Sequence, residues 1–513
     1  MSFHLRSSAS PLTRTGLPLT AAAAALALAA CGGDEAGSDA GSSSQAGAQG
    51  AGDALAALGL AEQGRATWAG RSRDGDTYTF TEFTLATDEG QLSAEMLVLT
   101  DPRLTDDGPV FERLSLNDGE LTYADGLAGF SAFSISDAGP GVGQAVANLI
   151  NGEGGFDDIP LEQQTFSELT LDTLRVRTEA SEEAGPGELV IARAEAGGFD
   201  GERLERFSLT DLAYDATAAE GGQLALDIED VAATGVNVAL FQSGAAGEMA
   251  SNPLLSGASA GLDQYESFAV KGLRLVSGAV RVRMSDFTAE IEEGRRGALI
   301  STAAMPSLIL EPNPDSPQGS EFVRTLDQLG YEAMRFSFAS ETEYDPGADR
   351  VTTTGENYLA MEDGFTMTFE QDVSGIDAYA TAYQDWLASG GDADTAPPAE
   401  VLAPLMIHSA LIRLEDRSLL DRALSLMAER QGVTPAELRA QAGLFVAMGA
   451  AMAAGSVPGD LMSQISTAMT SFVGQGGALV IAFEPDEPVS AARFVNEGET
   501  DLSGVSVRHE PAE

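Results

Sequence analysis

Phe111-Glu112-Arg113-Leu114-Ser115-Leu116 is the stretch on which the fold turns, because its layout recurs along the chain. Phe80-Thr-Glu-Phe83-Thr-Leu85, Phe166-Ser-Glu-Leu169-Thr-Leu171, Leu204-Glu-Arg-Phe207-Ser-Leu209 and Tyr265-Glu-Ser-Phe268-Ala-Val270 share it, and Tyr331-Glu-Ala-Met334-Arg-Phe336 is a looser sixth copy. Each copy reads apolar or aromatic, two polar residues, then apolar, small, apolar. The last two apolar positions alternate as a half-buried strand requires, one face in the core and the other wet. The leading aromatic is expected at the bend that enters the strand.

The copies begin at residues 80, 111, 166, 204, 265 and 331, without the fixed short period of a propeller or leucine-rich solenoid. Further strands are readable at residues 91–99, 188–194, 223–228, 279–291, 298–302, 350–360 and 365–371, separated by Gly, Asp and Pro. Most connections are too short for crossover helices, so the strands are expected to pair as antiparallel meanders. Residues 142–150 and 236–243 read as short helices or caps on one face. The expected fold class is α+β, mainly β: an elongated, twisted antiparallel sheet of irregular strand repeats over residues 54–375, then a helix-rich α/β C-terminal domain. Such an array is either a plain scaffold or a groove that shields a lipid or peptide, and the residues do not separate these.

Residues 376–498 form the expected C-terminal domain, with residues 499–513 as a tail. Residues 376–387 read as helix, 408–416 as strand and 419–429 as helix. Thr434-Pro435-Ala436-Glu437 is a capping box with Pro at the first helical position, and the helix it opens is expected to reach residue 454. Another helix follows over residues 458–473, ended by Gly476 and Gly477 before a strand at 478–483. Residues 444–454 are apolar but too few to span a bilayer of roughly 30 Å, so they predict a buried helix. Met448, Met452, Met462 and Met469 read as ordinary core, or as a face able to adapt to varied apolar ligands.

Residues 1–30 have the layout of a signal peptide. Arg6 and Arg14 are its basic region and residues 16–30 its short apolar core. Leu28-Ala29-Ala30-Cys31 resembles the lipobox of bacterial lipoproteins. The resemblance implies cleavage before Cys31 and acylation of that residue, the sole cysteine of 513 residues. A triacylated cysteine would satisfy the need for more than one chain in stable anchoring. Gly32 in place of Asp implies, by the same resemblance, forwarding to the outer membrane, facing the periplasm. Residues 32–53 hold no large apolar side chain until the fold begins, and predict a flexible spacer reaching roughly 25 Å.

The net charge of −51 excludes a nucleic-acid partner, since there is no basic stripe to track phosphates and Lys271 is the sole lysine. The acids are dispersed rather than set in a calcium-loop pattern, and read as a solvated surface. No cofactor is expected. A metal centre or Ser-His-Asp relay would need His408, because His509 lies in the tail. His408 opens an apolar strand and reads as a structural residue. Gly257-Ala-Ser259-Ala-Gly261 matches the nucleophile-elbow string, yet follows a loop where that chemistry needs a strand before it and a helix after it. Acidic pairs such as Asp106-Asp107 and Asp157-Asp158 are too common here to mark glycoside chemistry.

Over residues 75–375 the repeats, often followed by Asp or Asn, look somewhat like the AsmA-like envelope proteins and other periplasmic proteins built on long curved sheets. That resemblance implies a role in envelope lipid homeostasis or assembly. The chain departs from the type by carrying a lipid anchor instead of an N-terminal transmembrane helix. The function expected is therefore non-catalytic: a lipid-anchored envelope protein that binds or scaffolds an apolar ligand, a lipid or a protein partner. The alternative is an envelope hydrolase using Ser259 or an acidic pair, with His408 as base.

Overall fold

A computed structural model describes residues 50–87, 90–123, 126–178, 184–218, 223–238, 265–316, 319–389, 391, 397–441, 458–494 and 502–512. Among them the protein is mainly β: 22 strands belong to a large antiparallel sheet, with most of the helices in the C-terminal part. The chain divides into two compact units, Met1–Asp230 and Val231–Glu513.

In the first unit, helix α1 (Ala51–Ala57) precedes β1 (Ala66–Thr67), β2 (Gly70–Asp74), β3 (Thr77–Ala86), β4 (Gly90–Thr100), β5 (Arg103–Thr105), β6 (Gly108–Tyr123) and β7 (Gly126–Ala138). Helix α2 (Pro140–Asn151) follows, then β8 (Phe166–Thr178), β9 (Ala184–Phe199) and β10 (Arg203–Ala218). The order β3-β4-β6-β7-β8-β9-β10 is a plain antiparallel meander. Leu55, Leu58, Phe80, Phe83, Leu97, Phe111, Leu114, Ile135 and Val142 bury one face of it under α1 and α2. Each fully buried Leu or Phe is worth about 1.5–3 kcal/mol of transfer free energy.

The repeat acquires a structural meaning here. Glu82, Asp118, Thr173 and Asp211 all have left-handed backbone, with φ of 49°, 47°, 55° and 50°. The register sets them in one line across the strands, with Glu95, Ser131 and Ala192 between them on β4, β7 and β9. A second line runs through Asp101, Glu112, Asp137, Ser167, Gly198 and Glu205, and there Asp101, Asp137 and Gly198 are the left-handed residues. At each line the inward-facing positions shift by one: Phe111 is buried, then Leu114 and Leu116, then Gly119. Because neighbouring strands shift at the same level, cross-strand pairing continues in register on both sides. Asp tolerates this conformation better than most residues, which suits Asp118 and Asp211 to it.

Two expectations change as a result. The leading aromatic sits at the entering bend only in some copies: Tyr265 and Tyr331 stand just before strands that begin at Ser267 and Met334, whereas Phe111 is the fourth residue of β6 and is 2% exposed, because the two polar residues after it mark a shift within the strand. The copy at Phe80 is also displaced from the others. Its left-handed residue, Glu82, is the motif's third position, whereas Asp118, Thr173 and Asp211 occupy the eighth. The true equivalent of Leu114 and Leu116 in β3 is Tyr78 and Phe80.

Strand β11 (Gln223–Asn237) carries the chain into the second unit, so residues 236–237, expected as helix, are strand. The rest of that expected helix lies outside the described residues beyond residue 238. There follow β12 (Ser267–Ser277), β13 (Val280–Glu293), β14 (Leu299–Pro312), helix α3 (Gly319–Leu329) and β15 (Met334–Asp345). The stretch 350–360 is split into β16 (Arg350–Thr353) and β17 (Tyr358–Met361) around Gly355 at φ 58°, and both strands pair with β15 and with β18 (Phe365–Ser374). Helices α4 (Ile376–Ala388) and α5 (Ala399–Leu402) lead to β19 (Met406–Asp416), which pairs with β18 along its length. The sheet thus continues past residue 376. Helix α6 (Leu419–Gln431) and helix α7 (Gly459–Gln475) precede β20 (Gly477–Phe483), β21 (Val489–Ser490) and β22 (Val505–Glu510). Thr434 and Glu437 make both capping-box bonds: the Thr434 N–H donates to Glu437 Oε2 at 2.8 Å and the Glu437 N–H to Thr434 Oγ1 at 3.2 Å.

The expected tail is corrected by β22, which pairs with β20 from Val505 to Glu510 and packs Val507 against Leu461 and Ala468 of α7. Its alternation was legible, but only a free edge strand in space gives it a partner.

Candidate functional site

Strands β18, β19 and β20 present two faces of different character. One carries Thr366, Thr368 and Glu370, then Leu411, Arg413 and Glu415, then Ala478, Val480 and Ala482 of β20. Arg413 donates to Glu415 at 2.6 Å and to Glu510 at 3.0 Å. These bonds raise the Arg413 pKa above the ordinary guanidinium range, and the same pair holds the Glu510 carboxyl below the usual carboxylate range. The other face carries Met367 and Phe369, Ile412 and Leu414, and Leu479, Ile481 and Phe483. Directly paired residues share a face, so Phe369, Ile412 and Ile481 form one row and Met367, Leu414 and Leu479 another.

Part of this apolar face is uncovered among the described residues. Ile412 and Ile481 remain 41% and 42% exposed. Phe494 is 40% exposed and meets the ring of Phe483 edge-on at 5.6 Å. Phe369 is stacked with Phe338 at 6.5 Å and 16°. Burying such side chains is the ordinary outcome in a strand, so neighbouring open ones are the exception on this face.

The face owes its position to a bulge. Between Asp372 and Val373 the β18–β19 register shifts by one, leaving His408 as the extra residue. Its Nε2 lies 2.8 Å from Ser374 Oγ, a hydrogen bond that spans the irregularity. Arg350, paired with Ser374 from the other side, holds Asp372 through two guanidinium bonds. These residues stitch three strands together just before Gly375, at φ 85°, turns the chain into α4.

Those residues singled out from the sequence that the structure describes are not brought together. Cys31, Ser259, Met448 and Met452 lie outside the described residues. Met462 and Met469 are half-buried on α7. His509 Nε2 is 2.7 Å from the Gly476 carbonyl, at the far end of β20. Asp158 accepts from the Gly155 N–H at 2.8 Å. Among the described residues no group of three or more His, Cys, Asp or Glu is arranged to hold a metal ion, and no helix is long and apolar enough to cross a membrane. The sequence reading places Ile412 and Ile481 in strands and Phe494 in none, and does not single out the apolar patch. Its signal is apolar alternation in strands that none of the described helices covers.

A family model described only as an uncharacterized protein matches residues 358–510, a stretch that contains the whole of β18–β20, Phe494 and β22. No curated protein matches the chain.

Proposed function

We propose that this protein is a lipid-anchored, non-catalytic component of the cell envelope that holds a lipid, another apolar ligand or an envelope protein against the open face of β18–β20. The observation that carries the binding role is the directly paired, exposed Ile412 and Ile481, with the exposed Phe494 beside them against the buried ring of Phe483. The anchoring role is supported by Leu28-Ala29-Ala30-Cys31, with acylated Cys31 as the first residue and the residues between it and α1 as the spacer. The reading places the body on the periplasmic side of the outer membrane, with a surface acidic enough to keep nucleic acid away.

Cys31→Ser tests the anchor. Cells fed a labelled palmitate analogue are expected to label the wild-type chain and not the variant, and the variant should leave the membrane fraction. A variant that stays with the membrane overturns the anchoring role.

A further inference from the structure

We infer that the patch of Ile412, Ile481 and Phe494 docks a basic, amphipathic segment of a partner protein. This rests on the binding role proposed above and names its partner.

Shape is the first argument. The patch lies on the open side of paired strands, whereas small apolar ligands are held in concave sites that enclose most of their surface. A sheet face gives one-sided contact, which suits a protein segment that brings its own second layer. Ile412 and Ile481 sit on adjacent strands, whose spacing of roughly 4.8 Å is close to the roughly 5–6 Å between side chains three or four positions apart on a helix. An amphipathic helix can therefore lay successive apolar residues beside them.

Charge is the second argument. The chain leaves Phe483 through Glu484-Pro485-Asp486-Glu487, and all three acids are exposed. Arg493, beside Phe494, is already engaged within the protein. With a net charge of −51, a second copy or an acidic partner is repelled, and a segment rimmed with Lys or Arg is attracted. The apolar centre and acidic border together specify a partner with the opposite border.

The full-length chain in neutral detergent is titrated by fluorescence anisotropy against a labelled synthetic Leu/Lys amphipathic helix and its Leu/Glu counterpart. Saturable binding of the Leu/Lys peptide is expected, with none for Leu/Glu. Ile412→Ser with Ile481→Ser should weaken it by about tenfold. A separate Glu484→Gln, Asp486→Asn, Glu487→Gln variant should weaken it at low salt and flatten its salt dependence. Circular dichroism checks that both variants fold, and the second alters only exposed residues. Equal binding by wild type and the double serine variant would reduce the effect to bulk charge and overturn the docking site, as would failure of the Leu/Lys peptide to bind. If instead the detergent-free protein binds phosphatidylcholine vesicles in a way the double serine variant abolishes, the apolar-ligand role stands and the protein partner falls. If no probe binds, both fall.

Discussion

Glu82 of β3 and Asp118 of β6 face Glu95 of β4 from its two sides, and both are left-handed, at φ 49° and 47°. This is the level at which the first unit's meander reverses which alternate residues point inward. The reversal holds because every strand makes it at once; a single strand doing so would expose its apolar set to water.

Asp118 is therefore open to a test by backbone preference alone. Asp118→Asn should be close to neutral, whereas Asp118→Val forces a β-branched residue into left-handed backbone and should cost about 1–2 kcal/mol. Amide hydrogen exchange along β4, β6 and β7 reads the loss. Equal protection in the two variants would mean that the strained backbone is not maintained.

Gly143 lets α2 approach β6. A Cβ there would lie 1.7 Å from the Pro109 carbonyl oxygen, a backbone atom with no room to yield. Gly143→Ala should lift the helix and destabilise the first unit by about 1–3 kcal/mol, seen as a lower urea midpoint. Gly75, with φ 59° and nothing near its Cβ position, is a control in which the strain of a left-handed turn acts without a clash.

Edge strand β22 should loosen in acid. Its Glu510 accepts from Arg413, and that bond lowers the carboxyl pKa below its unfolded value. A depressed carboxylate stabilises above the unfolded pKa, and the contribution is lost as pH falls through the lower folded one. The pair is partly exposed, so the contribution is below about 1 kcal/mol. Glu510→Gln should raise hydrogen exchange of β22 at neutral pH and match wild type in strong acid. A difference that grows on acidification would contradict this sign.

Thr434 caps the helix that begins after it. Thr434→Ala removes the hydroxyl that receives the Glu437 N–H and should cost about 1 kcal/mol of local stability. Helical circular dichroism at rising temperature measures it, and Thr434→Ser, which keeps the hydroxyl, is expected to retain most of the stability.

The sequence by itself determined what depends on near neighbours. The alternation in residues 111–116 decided strand; the spacing in 419–429 decided helix; Thr434 and Glu437 placed a helix start; and short connections decided antiparallel pairing. His408 could be read as a structural residue because a lone histidine at the head of an apolar strand lacks the company that catalysis needs. Only the tertiary structure decided which repeats are equivalent, since Glu82 and Asp118 are matched through Glu95 and not through their own motif positions. It also decided that residues 505–510 are a strand, because an edge strand exists only once β20 offers its free side. The same holds for Ile412 and Ile481: each looks like a core residue in its own strand, and their exposure follows from where the described helices stop, a relation between segments far apart in the chain.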